Sequence, residues 1–134
     1  MHSLESLQKL VEPLFPGLLG MRIVEAGPDR IVAELDVRPE LCTTGGILHG
    51  GAYMALADTL GALGTLLNTT EETRTATTDS STKFIGAARV HTTIVGECLP
   101  LHRGRTTMVW QTVIRSAEGR ICAVVTQTQL MLDA

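Results

Sequence analysis

The sequence predicts an α+β fold in which a six-stranded antiparallel sheet is wrapped around a long central helix, with a short N-terminal cover helix at one end. Three observations lead there. Residues 47–67, ILHGGAYMALADTLGALGTLL, are one nearly uncharged helical run, and a helix that is apolar on every side must be surrounded by protein. Two strand-like runs precede it and four follow it. Several of the intervals between these runs are short enough for antiparallel hairpins, and six such strands suffice to curl one sheet around the helix.

Each element follows in order. Residues 3–11, SLESLQKLV, place Leu4, Leu7, Leu10 and Val11 at helical spacing behind Ser3, and Pro13 ends the turn. The runs MRIVEA (21–26) and RIVAELDVR (30–38) flank the turn formers Gly27, Pro28 and Asp29. In the second run Ile31, Ala33, Leu35 and Val37 alternate with Glu34, Asp36 and Arg38, as in a half-buried strand. A loop with Pro39, Thr43, Thr44, Gly45 and Gly46 leads to the central helix, about 49–68. The strands RTATTDSSTKF (74–84), RVHTTIVGECL (89–99), TTMVWQTVIRS (106–116) and RICAVVTQTQLML (120–132) complete the chain. His102, Arg103 and Gly104 mark one turn; Ala117, Glu118 and Gly119 mark another. Residues 1–134 read as a single domain without repeats or linkers.

Composition removes several function classes. With 44% hydrophobic and 19% charged residues the chain is not disordered. A net charge of −3 and only four aromatics (Phe15, Tyr53, Phe84, Trp110) argue against a nucleic-acid partner. Cys42, Cys98 and Cys122 form no CxxC pair and read as reduced thiols of a cytoplasmic protein. The start, MHSLESLQKLVEPLF, lacks the order of a signal peptide. The central run has membrane-spanning length, but Asp58 at its centre would cost about 2.5–3.5 kcal/mol in a bilayer. The nearest basic residues, Arg38 and Arg74, are too distant to anchor a span. The helix is therefore expected in protein, not lipid, with no membrane partner. His2, His91 and His102 lack ligand spacing, so no metal is expected, and GGILHGG lacks the GxGxxG and GxxxxGK spacings of phosphate loops.

Two features carry chemistry. Asp58 sits among Met54, Ala55, Leu56, Ala57, Leu60, Ala62 and Leu63 with no Lys or Arg within two turns. Burying an unpaired carboxylate costs several kcal/mol. Either a strand Lys or Arg or a wet subunit seam accommodates it, or it faces a cleft where desolvation prepares it as base or nucleophile. The second feature is His49-Gly50-Gly51, just before the helical run. The first N–H groups of a helix have no internal acceptor and lie at the positive end of its dipole. Such an N–H polarises a carbonyl and stabilises the oxyanion of acyl transfer; the alternative is that the glycines merely ease a tight turn.

At these residues the chain resembles a family. The stretch GGILHGGAYMALADTLGAL is similar to the signature of the hotdog-fold acyl-CoA thioesterases of the PaaI-like (phenylacetate-pathway) subgroup, in which an Asp follows the His of HGG by nine residues, as Asp58 follows His49. The resemblance continues through TTDSSTKFIGAARV (77–90) and GRTTMVWQTVIRSAEGRICAVVTQTQLML, covering about residues 17–132. It implies a hotdog fold and hydrolysis of an aryl- or medium-chain acyl-CoA to free acid and CoA. It implies no metal or redox cofactor, coenzyme A entering only as part of the substrate.

Residue by residue, the resemblance implies that Asp58 is the general base or the nucleophile, that the Gly50 N–H holds the thioester oxygen, and that His49 orients that loop. Thr77 corresponds to a hydroxyl that positions the attacking water. Thr43 stands where the family often has Asn or Gln. Gly51 lets substrate approach the backbone, and Lys83, Arg89, Arg103 and Arg105 are candidates for the CoA phosphates, against solvated strand ends as the alternative. Two other readings remain: a hotdog hydratase or dehydratase, whose catalytic His lies in a different loop motif, and a non-catalytic acyl-CoA sensor. Known sensors of that kind add a DNA-binding segment, whereas only about 20 residues precede the fold here. Gly50 and Asp58 are eight residues apart, about 12 Å along a straight helix, too far to meet one carbonyl. The expected site therefore combines two chains in a homodimer, as the family's arrangement also implies. Pairing into a homotetramer is implied by the resemblance alone.

Overall fold

The computed structural model describes residues 2–70 and 72–132. Ser3 opens α1 (Leu4–Val11) through a reciprocal capping box with Ser6, and Leu7 and Val11 point inward. A second short helix, α2 (Phe15–Leu19), follows where the sequence reading has none. Pro16 suits its first turn, and Gly20 ends it at φ 85°. The Arg38 guanidinium donates to the Leu19 carbonyl at 2.6 Å and also to that of Leu18, covering the helix end.

Strands β1 (Arg22–Gly27) and β2 (Arg30–Asp36) form the expected hairpin. The segment read as a loop then makes a 3₁₀ turn, Pro39–Leu41, and a small hairpin of β3 (Cys42–Thr43) and β4 (Ile47–Leu48). Gly45 and Gly46 turn it at φ 86° and 69°, values that favour glycine. Next comes the central helix, α3 (Gly50–Leu66).

Strand β5 (Arg74–Phe84) has the bounds read from the sequence, whereas β6 runs from Thr93 to Arg103, four residues later than expected. His91 adopts φ 67°, which no strand tolerates, so residues 89–92 turn instead. At its other end β6 passes through a register shift between Pro100 and His102, and His102 and Arg103 pair with Val109 and Met108. The turn expected at His102-Arg103-Gly104 thus lies beyond Arg103. Strands β7 (Thr107–Arg115) and β8 (Ile121–Leu132) complete the sheet.

The sheet is six-stranded and antiparallel, in the order β1-β2-β6-β7-β8-β5. The chain crosses the sheet as α3 between β2 and β5, which places β5 at the opposite edge from β1. Leu56, Leu60 and Leu63 of α3 are buried against Ile94, Trp110 and Ile114 in one core, each such side chain contributing about 1.5–3 kcal/mol. This is the hotdog architecture.

Two glycines of α3 decide how closely it lies on the sheet. A Cβ at Gly61 would stand 2.5 Å from Gln127 Cδ, and one at Gly64 would stand 2.8 Å from Trp110 Cη2. Trp110 is fully buried and donates its indole N–H to Thr65 Oγ1 at 2.9 Å, so it has little freedom to yield. Gly64→Ala is therefore expected to destabilise the fold by about 1–3 kcal/mol, the usual cost of overpacking. Urea unfolding measures this; a wild-type midpoint would show that the indole shifts at no cost.

Candidate active site

His49 is the N-cap of α3, with extended backbone at φ −64° and ψ 139°. Its Nδ1 accepts from the Gly51 N–H at 2.8 Å. That bond needs an unprotonated Nδ1 and so favours the imidazole tautomer carrying its proton on Nε2. The imidazole folds over Gly51 so closely that a Cβ there would lie 3.0 Å from Nδ1. Capping thus consumes the Gly51 N–H, while the Gly50 N–H has no acceptor among the described residues. Backbone bonds from the His49 N–H to the Leu41 carbonyl and from the Leu48 N–H to the Ala88 carbonyl, both 2.9 Å, hold this helix start in place.

A cavity of about 350 Å³ opens beside Gly50, lined by Thr43, Ile47, Tyr53, Phe84 and Ile85 among others. Gly50 has no room to spare on this side, since a Cβ would lie 3.0 Å from Phe84 Cε1. Phe84 and Tyr53 stack at a tilt, their centroids 6.2 Å apart. Burial pushes the Tyr53 phenol up to about 12, so it is uncharged at neutral pH. On the other flank of the helix start a second cavity, about 310 Å³, is lined by Phe15, Leu19, Leu41, Cys42, His49 and Gly51 among others.

Asp58 is exposed in the single chain rather than buried. Gly51, Met54, Ala55, Asp58, Thr59 and Ala62 form one stripe of α3 that the sheet leaves at least partly uncovered, so the helix is not surrounded on every side as expected. The surrounding sheet covers the face of Leu56, Leu60 and Leu63 only. Neither a lysine nor an arginine pairs with Asp58 among the described residues. Its partners are neutral donors. The Thr77 hydroxyl donates to Oδ1 at 2.6 Å. Gln127 Nε2 reaches the Asp58 carbonyl at 3.2 Å and Oδ1 at 3.4 Å. Gln129 Nε2 in turn donates to Thr77 Oγ1 at 2.6 Å.

A bulge in β5 makes this arrangement possible. The register against β8 shifts between Thr77 and Asp79, so Thr77 lies opposite Gln129 while Ser80 lies opposite Gln127. An extra residue lets an odd-numbered and an even-numbered side chain share one face of the strand. Without it Thr77 and Ser80 would point to opposite sides.

The basic residues do not form one cluster within the chain. Lys83 is next to Phe84 on β5, and Arg89 pairs by a bridge with Ile47, so both belong to the Gly50 end of α3. Arg103 lies at the other end of the helix, donating to Asp29 Oδ1 at 2.6 Å and to the Pro28 carbonyl at 3.1 Å, with Asp29 and Asn68 as its neighbours. Arg105 follows it in the turn before β7. Thr43, in contrast, is brought to the Gly50 cavity. Gln127 and Gln129 escaped the sequence reading. The available signal was strand alternation, which puts both on the face of Ala123 and Val125 and so marks two amides in a core register.

A model of the family "Thioesterase superfamily" matches residues 45–123, from the loop before His49 into β8. The chain is similar to the 1,4-dihydroxy-2-naphthoyl-CoA hydrolase of Escherichia coli (strain K12), at 32% identity over 90% of this chain and 88% of that one. It is also similar to the proofreading thioesterase EntH of Cronobacter turicensis, at 35% identity over 78% of this chain and 75% of that one. Among solved structures, a thioesterase from Haemophilus influenzae superposes with a TM-score of 0.93 and 29% identity, covering 99% of this chain and 92% of that chain. The fold agrees with these likenesses: the chain belongs to the thioesterase superfamily and is a thioester hydrolase.

Proposed function

We propose that the protein hydrolyses an aryl- or medium-chain acyl-CoA, with each active site built from two copies of the chain. The observation that carries this is the presence on one helix of an N–H without an acceptor, at Gly50, and a carboxylate without a cation, at Asp58, among the described residues. The N–H holds the thioester oxygen and stabilises the charge that develops there. The carboxylate acts on the thioester carbon, as base for water or as nucleophile. The C–S bond breaks, the CoA sulfur leaves and takes up a proton, and water supplies the second oxygen of the acid. The apolar lining of the Gly50 cavity, with Tyr53 and Phe84, suits an aromatic acyl group, as does the naphthoyl-CoA named for the E. coli relative. Lys83 and Arg89 stand at the same end of α3 for the CoA phosphates.

The helix spans 17 residues, and Gly50 and Asp58 are separated by eight of them, about 12 Å of rise. Side-chain reach does not bridge that distance. A two-fold partner does: the exposed stripe of α3 and the 11-residue edge strand β5 lie side by side, and an unpaired edge of that length is a template for pairing. Two β5 strands continue one sheet, and the start of one α3 meets the middle of the other. Exposed Leu99 and Leu101 on β6 offer apolar surface for two such dimers to form a tetramer. The three free cysteines suit the reducing cytoplasm, where we place the reaction.

Thiol release from a panel of aryl and alkyl acyl-CoAs tests the substrate class, with aryl substrates expected to show the higher kcat/KM; a preference for long alkyl chains would refute it. Asp58→Asn should cut turnover by about 10²–10⁴ with folding retained, and near-wild-type hydrolysis would end the assignment. Complementation tests the shared site. Gly50→Pro removes the N–H at a first-turn position whose backbone suits proline, the extended His49 tolerates a following proline, and the exposed Phe84 ring, 3.0 Å from the added Cβ, must swing aside. Gly50→Pro and Asp58→Asn homodimers should be nearly inactive, while mixed dimers regain one intact site. Verified exchange of folded chains with no recovered activity would refute the two-chain site.

A further inference from the structure

Behind the Asp58 carboxylate lies a row of buried amides that the reaction as described leaves unused. Gln127 is 1% exposed and Gln129 is fully buried. Burying an amide is costly unless its groups are bonded, yet Gln127 Oε1 and Gln129 Oε1 have no partner among the described residues. Apolar residues would fill the same strand positions at lower cost, as Ala123 and Val125 do on the same face. Both Nε2 groups, by contrast, are directed toward Asp58, one directly and one through Thr77.

Resting on the reading of Asp58 given above, we infer that Gln129 and Gln127 are positioning residues that orient the Asp58 carboxylate for reaction. The donor order is dictated by proton count. A threonine hydroxyl has one proton. Because Thr77 Oγ1 accepts from Gln129 Nε2, its own proton is free for Asp58 Oδ1. Turning the Gln129 amide over would present Oε1 to the hydroxyl and draw the proton away, leaving two lone-pair oxygens 2.6 Å apart at Thr77 and Asp58. Gln129 thus fixes the direction of the chain, and Gln127 clamps the same oxygen and the backbone carbonyl behind it. Oδ1 is saturated by protein donors, and Oδ2 is the oxygen left for water or the thioester carbon. Gly61 supports the device, since any larger residue would occupy the place of the Gln127 amide. The bulge in β5 supports it as well by bringing Thr77 opposite Gln129.

The test is a cycle of hydrolysis rates on the best thioester found in the panel. Gln129→Met keeps the side-chain length and removes the donor; Thr77→Val keeps the shape and removes the hydroxyl. Each should lower kcat by about 10- to 100-fold, the size of loss found when the hydrogen-bond partner orienting a metal ligand is removed and expected likewise for an oriented carboxylate, with KM changed less than about two-fold. The double variant should be no slower than Thr77→Val alone, because Gln129 acts only through that hydroxyl. Gln129→Glu should be slower than Gln129→Met, since an ionised carboxylate would draw the Thr77 proton away from Asp58. Losses that multiply in the double variant, a rise in KM alone, or a Gln129→Met enzyme with wild-type kcat would overturn the assignment. If Gln129→Met fails to fold, Gln127→Met in the same cycle with Asp58→Asn decides: any further loss beyond Asp58→Asn refutes the positioning role. A wild-type chain that hydrolyses no thioester in the panel overturns the reading of Asp58, and this inference with it; failure in the cycle with an active wild type overturns this inference alone.

Discussion

At Gly61 and Gly64 the central helix comes so near the sheet that a methyl group would overlap Gln127 Cδ at 2.5 Å and the Trp110 ring at 2.8 Å. Gly96 on β6 allows the same approach from the sheet side, where a Cβ would stand 3.2 Å from Leu60 Cδ1. The rest of the molecule depends on this seating. Interiors pack at crystal-like density, so a helix displaced by one methyl would lose contacts along its whole length. It would also withdraw Asp58 from Gln127 and Thr77, whose bonds to the carboxylate are already set by heavy-atom distances of 3.4 and 2.6 Å.

The same helix serves packing and chemistry because its faces are divided between them. Leu56, Leu60 and Leu63 pay its conformational cost by burial. The opposite stripe, from Gly51 through Met54 and Asp58 to Ala62, is left partly uncovered, and at its head the His49 ring satisfies the Gly51 N–H while the preceding Gly50 N–H has no acceptor among the described residues. A helix end is polar by construction, so a donor aimed at a developing oxyanion requires no added charge. A carboxylate stabilised by hydroxyl and amide donors instead of a salt bridge keeps one oxygen open to substrate, where an arginine fork would occupy both.

Much of this was legible in residue order. Strand alternation, the capping serine of α1 and the apolar run around Asp58 are local patterns, and they placed six strands and the central helix with β5 at its observed bounds. His49, Gly50 and Asp58 stood out because a carboxylate in an apolar helix and a glycine pair at a helix start are anomalies within a few residues, whereas Thr77 was marked only by the resemblance to the family. Helix α2 was not legible, since its five residues contain proline and glycine and its end is held by Arg38 from beyond β2. The start of β6 was misplaced because the left-handed His91 is held by a backbone bond to the Val37 carbonyl, at 2.6 Å, from a distant strand.

Residue order by itself therefore determined the first and central helices, the six strands of the sheet in outline and which side chains are chemically out of place, because periodicity and local composition act over one or two turns. Tertiary structure alone decided what those side chains meet. The pairing of β5 with β8 at the far edge, with its one-residue bulge, set Thr77 against Gln129 across 52 positions of sequence. The same pairing separated Lys83 from Arg103, which the sequence had grouped by their common position near turns. Such neighbours are fixed by the closing of the sheet around the helix, a long-range event in which each contact depends on all the others, and no local pattern records its register.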